Sequence, residues 1–80
     1  MADPIQNVVE VIARALVDHP DAVQVLENER RGMKVYSLTT APGDMGKIIG
    51  RQGRTAAALR TLVALTAEKH GQRAQLDIRD

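Results

Sequence analysis

The sequence predicts an α+β domain whose elements run helix, strand, strand, short helix, long helix, strand. Three observations carry that expectation. Apolar side chains recur at three- and four-residue spacing from Ile5 to Leu16 and again from Ala56 to Ala67, the period of a helix with one buried face. Apolar and polar residues alternate around Val23 and Val25, from Met33 to Thr40 and from Ala74 to Ile78, the period of a strand. Pro20, Ala41-Pro42-Gly43 and Gly71 punctuate the chain between these stretches.

Asp3 followed by Pro4 starts the first helix, because a carboxylate accepts from free N–H groups and proline needs no partner at the first helical position. Ile5, Val8, Val9, Ile12, Ala13 and Leu16 form its expected buried stripe, opposite Gln6, Asn7, Glu10 and Arg14, and Pro20 is expected to end it. His19 is expected to be a loop histidine, with no His, Cys or carboxylate at ligand spacing. Val23 and Val25 begin a hairpin with a longer polar loop from Glu27 to Gly32, and Met33 to Thr40 returns. Arg30, Arg31 and Lys34 cluster near that loop, where a charged tip serves solubility and contact with a nucleic-acid backbone is the alternative. Asp44 is expected to cap a short helix from Met45 to Ile49. Ala56, Leu59, Leu62, Val63 and Ala67 share one face of the long helix that follows, which Gly71 caps after Lys69 and His70. The final strand alternates Ala74, Leu76 and Ile78 with Gln75, Asp77 and Arg79.

Eighty residues accommodate one small domain, residues 1–80. A chain of this length buries only about 60 to 65% of its unfolded surface. Its 44% apolar content comes from Val, Leu, Ile, Ala and Met, with one tyrosine and no Phe or Trp, so the core is expected to be aliphatic and modest. A partner that covers further apolar surface would stabilise such a domain by mass action, and an oligomer is therefore expected. With no cysteine, disulfides, thiolate metal sites and thiol chemistry are excluded. No stretch approaches the ~18 apolar residues of a membrane span, and a cytoplasmic protein without membrane contact is expected.

The net charge of +1 hides a local asymmetry. Residues 1–43 carry four basic and six acidic groups, residues 44–60 carry Lys47, Arg51, Arg54 and Arg60 against Asp44, and residues 61–80 balance. The positive segment coincides with Gly46-Lys47-Ile48-Ile49-Gly50-Arg51-Gln52-Gly53-Arg54-Thr55. Catalytic options are poor: no nucleophile stands with a base, the acids are scattered, and no cofactor fingerprint is present. A phosphate-binding P-loop needs four residues between its glycines and then Gly-Lys-Ser/Thr, and a dinucleotide fold needs three glycines in another order. An enzyme is not expected, and no cofactor.

What remains is a Gly-x-x-Gly turn between two helices. Glycines at 50 and 53 let the backbone turn tightly and let a phosphodiester approach N–H groups, beside the positive end of the following helix. Arg51 and Gln52 project from such a turn, with Lys47 and Arg54 on its flanks. Phosphate contacts of this kind give affinity and register with little sequence information. On spacing alone the pair also fits a helix cap followed by a relieved turn. The lone Tyr36 excludes a sheet face that stacks several bases.

At Ile48-Ile49-Gly50-Arg51-Gln52-Gly53 the chain resembles the KH domain, whose signature is an aliphatic pair followed by Gly-x-x-Gly between two helices. The element order resembles the bacterial, type II form, and this implies a three-stranded mixed sheet packed by helices on one face. Ala15 to Val23 together with Gly46 to Ala56 look like the small single-KH bacterial proteins of the KhpA family. Ala56 departs from the larger aliphatic residue common in KH domains, leaving Leu59 to fill the groove. The resemblance implies single-stranded RNA in a narrow cleft, with the turn holding the backbone of about four nucleotides. Gly50, Arg51, Gln52 and Gly53 would hold phosphates, Lys47 and Arg54 would strengthen the field, Ile49 would line the groove and Ile48 would face the core. It further implies a homodimer, or a heterodimer with a larger KH-containing protein of the Jag or KhpB type, in regulation of cell elongation and envelope growth. The alternative is a protein-interaction subunit whose fold mainly serves dimerisation, with Leu59, Leu62, Val63 and Ala67 not all turned to the core.

Overall fold

The computed structural model describes residues 3–79; Met1, Ala2 and Asp80 of the expected 1–80 domain lie outside them. Asp3 caps the first helix, α1 (Pro4–Leu16), as its Oδ1 accepts from the backbone N–H of Ile5 at 2.9 Å and of Gln6 at 3.3 Å. Strands β1 (Gln24–Arg30) and β2 (Met33–Thr39) form an antiparallel hairpin, helices α2 (Met45–Ile49) and α3 (Arg54–Lys69) follow, and β3 (Ala74–Ile78) lies parallel to β2. The sheet order β1-β2-β3 puts β2 in the centre. This is the mixed three-stranded sheet and three-helix arrangement of the type II KH fold.

The core is built from i, i+4 rows, which place side chains one above the other on a helix. Ile5, Val9 and Ala13 on α1, continued by Val17, meet Leu59, Val63 and Ala67 on α3 within one buried cluster. Leu16 and Leu62 were expected in these stripes but are exposed, because each lies one position outside its row. The sheet contributes Val25, Tyr36, Leu38 and Leu76, and α2 contributes Met45 and Ile48. Leu26, Asn28, Arg30, Val35, Ser37, Thr39, Asp77 and Arg79 share the opposite sheet face, where no helix residue joins them.

Tyr36 is fully buried, and its hydroxyl donates to Asp3 Oδ2 at 2.6 Å. The residue that caps α1 thereby also ties this helix to the central strand. Partial burial of Asp3 opposes its ionisation, but the hydrogen bonds from Tyr36, Gln6 and Ile5 and the charge of Lys34 outweigh it, so the carboxyl sits below its usual range. Burial, then the bond to Asp3 and the charges of Asp3 and Glu27, push the Tyr36 hydroxyl well up.

Three boundaries differ from the expectation. First, α1 ends at Leu16 rather than at Pro20: Val17 turns extended and buries its side chain, and Pro20 opens a separate 3₁₀ turn, Pro20–Ala22. Second, the hairpin has no long loop. The ladder continues to the Arg30–Met33 pair, leaving a two-residue turn at Arg31 (φ 53°) and Gly32 (φ 80°). Glu27, Asn28, Glu29 and Arg30 are exposed strand residues on the sheet edge, a place where charge discourages unwanted pairing. Third, Asp44 precedes α2 but its side chain does not cap it.

At the end of α3 the N–H of Gly71 donates to Glu68 O at 3.1 Å and that of Gln72 to Ala67 O at 2.8 Å. That pair of bonds is the Schellman closure expected of Gly71, and it returns the chain toward β3.

Candidate nucleic-acid interface

Helix α2 stops because Gly50 leaves helical space, with φ 75° and ψ 174°, while its N–H still donates to Gly46 O at 2.9 Å. A single 3₁₀ turn, Arg51–Gly53, closes through Gly53 N–H to Gly50 O at 3.1 Å. Gln52 (φ 57°) and Gly53 (φ 73°) are both left-handed, so three of four consecutive residues have positive φ. A side chain at 50 would overlap Thr55, whereas one at 53 would meet open space. Glycine at 50 is therefore required by space and backbone together, and at 53 by the backbone alone. Gly53 is also the N-cap of α3 and provides no capping side chain. The positive end of a 16-residue helix thus begins at the turn.

Of the residues singled out in the sequence, Arg51, Gln52 and Arg54 lie exposed together on this turn. Arg54 Nη2 donates to Gln52 Oε1 at 3.1 Å, which joins the two side chains across Gly53. Ile49 is 42% exposed at the end of α2 while its neighbour Ile48 is fully buried, so the aliphatic pair divides between surface and core. Lys47 is engaged by two acids: its Nζ lies 3.1 Å from Asp18 Oδ2 and 3.8 Å from Asp44 Oδ1.

Asp44 is 2% exposed, and what it does was not legible from its neighbours. Its Oδ2 accepts from the backbone N–H of His19 at 3.0 Å and lies 3.2 Å from His19 Nδ1. Burial opposes its charge, but the His19 N–H and ring and the Asp18 N–H more than compensate, bringing the carboxyl below its ordinary value. His19 is thus an exposed loop histidine with a carboxylate partner 25 residues away in sequence. The Asp18-His19 loop is fastened to the start of α2 through Asp44 and Lys47.

The hairpin cations do not form one patch. Lys34 faces the helices and pairs with Glu27 at 3.4 Å and Asp3 at 3.9 Å, while Arg30 lies on the open sheet face. Arg60 borders a separate open cleft with Met33, Ala74, Gln75, Leu76 and Asp77, between α3 and β3. Sequence reasoning left Thr55, Asp18 and this cleft without a role. Only the signal for Thr55 was local, as a residue five positions after a glycine that must leave a helix. Among the described residues no three His, Asp or Glu side chains gather as a metal site, and no helix is long and apolar enough to cross a membrane.

Residues 6–78 match the family described as "KhpA/KhpB, KH domain". The chain belongs to that KH-domain family. It is similar to the RNA-binding protein KhpA of Halalkalibacterium halodurans, with 51% identity over 94% of this chain and 99% of the relative. It is also similar to the proteins of that name from Caldanaerobacter subterraneus subsp. tengcongensis, at 49% identity over 90% of this chain and 96% of the relative, and from Aquifex aeolicus, at 42% over 92% and 94%. The relatives of this KH domain are thus matched nearly end to end.

Proposed function

We propose that this KH domain binds single-stranded RNA, with the turn from Gly50 to Gly53 holding the sugar-phosphate backbone. The observation that carries it is the turn itself: successive positive-φ residues present Arg51 and Gln52 at the uncapped, positive end of α3. The helix dipole and the exposed Arg51 and Arg54 side chains make that end of α3 suited to an anion. Gly50 and Gly53 give the backbone access, Arg51, Gln52 and Arg54 contact phosphate or sugar, Lys47 adds to the field, and Ile49 offers an apolar wall to a base. The relatives named RNA-binding protein KhpA support the same ligand class. Nothing in the site calls for a catalytic step, so binding without turnover is the activity proposed.

The finer role follows the family resemblance: an RNA chaperone or post-transcriptional regulator acting in the cytoplasm on cell elongation and envelope growth. One KH unit with no aromatic platform holds RNA weakly. A homodimer, or a heterodimer with a larger Jag/KhpB-type KH protein, would add avidity by raising the effective concentration of a second site.

Fluorescence polarisation with a short single-stranded RNA tests the binding. A variant carrying Arg51→Asp and Gln52→Asp should repel phosphate without disturbing the turn, and equal binding by wild type and variant would sink the proposal. A second function, that of a protein-interaction subunit with little RNA affinity, draws on Leu62 and Leu65, which are 41% and 57% exposed on α3. Light scattering that finds only monomer at high concentration would weaken it by removing its homodimeric form.

A further inference from the structure

Building on the RNA-binding proposal, we infer that Asp18 competes with RNA phosphate for Lys47 and thereby lowers the affinity of the turn for its ligand. Lys47 is one of the four cations that make residues 44–60 positive. In the folded chain it is not free. Asp18, delivered by the loop after α1, lies 3.1 Å from its Nζ, and Asp44 lies 3.8 Å away.

The two acids are not equivalent. The Asp44 side chain is 3% exposed and is held by the backbone and ring of His19, so its position is fixed by the fold. The Asp18 side chain is 68% exposed and that of Lys47 is 43% exposed. An ion pair between groups this open to water is weak and screened by salt. A phosphate arriving at the adjacent turn is therefore able to displace Asp18, while Asp44 stays. Asp18 is the exchangeable partner: it screens Lys47 in the free protein.

The test measures binding of a short fluorescein-labelled oligouridylate at low and near-physiological salt. The proteins are wild type, Asp18→Asn, Lys47→Gln, the double variant of these two, and Asp21→Asn as a control. Asp21 is an exposed acid in the neighbouring 3₁₀ turn, so its substitution makes the same change in net charge. Asp18→Asn is expected to tighten binding by about 1.5- to 5-fold at low salt, the range that an exposed ion pair commands. That gain should vanish in the Lys47→Gln background, shrink with added salt, and be absent in Asp21→Asn. Binding of Asp18→Asn equal to wild type overturns the inference, as does a gain that survives Lys47→Gln or is matched by Asp21→Asn. The Arg51→Asp, Gln52→Asp variant is run alongside. If it binds like wild type, the turn is not the RNA site and the functional proposal fails. If it loses binding while Asp18→Asn changes nothing, only the competition fails.

Discussion

Gly50 and Thr55 pack so closely that a Cβ built on residue 50 would overlap the Thr55 hydroxyl and lie 2.7 Å from its Cβ. The end of α2 and the first turn of α3 therefore touch through a position that admits no side chain. At Gly53, three residues on, a Cβ would meet nothing within 4 Å.

The two glycines should consequently respond differently to alanine. Gly50→Ala places a side chain in a backbone region used almost only by glycine and forces an overlap, with an expected loss of about 3 kcal/mol or more. Gly53→Ala bears only the left-handed strain of about 1 to 2 kcal/mol. Adding Thr55→Ala should rescue Gly50→Ala in part, since the hydroxyl clash goes and the Cβ clash stays. Urea unfolding of the variants measures this, and equal losses at 50 and 53 would refute it.

The buried bond from Tyr36 to Asp3 predicts a pH signature at both ends of the scale. Tyr36→Phe should cost about 1.5 to 3 kcal/mol near neutral pH, because it removes a hydrogen bond to a charged acceptor. The Tyr36 pKa is raised on folding, so its contribution is full below its ordinary value of 10.0 and is lost as pH rises beyond it. The gap between wild type and Tyr36→Phe should hold constant up to that pH and narrow above it. The Asp3 pKa is lowered, so its contribution is present above its ordinary 3.8 and disappears as pH falls through the folded value. Stability curves of Asp3→Ala against wild type should therefore converge in acid. Thermal melts across pH report both, and parallel curves would contradict the coupling.

The hairpin offers a gain. Arg31 has φ 53° in a two-residue turn whose second residue is Gly32. Turns of this kind favour Asn-Gly, because asparagine adopts the left-handed conformation at less cost than a long side chain. Arg31→Asn should raise stability by about 0.5 to 1 kcal/mol. An unchanged or lower denaturant midpoint would show that the Arg31 side chain has a compensating role.

By itself the sequence determined what short-range periodicity and turn chemistry encode. Asp3 as a cap, the element order, the Gly71 closure and the glycine turn between helices were all legible, because each depends on residues within a turn or two of one another. The family was legible from the glycine signature together with the order of the elements around it and the Ala15 to Val23 stretch. Tertiary structure decided the rest. An apolar stripe read from spacing is wider than the row that another helix covers, which is why Leu16 and Leu62 reach solvent. Polar strand residues at a sheet edge look like loop until the partner strand is in place, so the hairpin turn seemed longer than it is. The partners of Asp44 and Tyr36 lie 25 and 33 residues away. Their bonds form only because packing of the helices on one sheet face brings distant carboxylates, hydroxyls and loops to the same place. The same packing brings Asp18 to Lys47, so the charge available at the turn is a property of the fold and not of the segment that carries it.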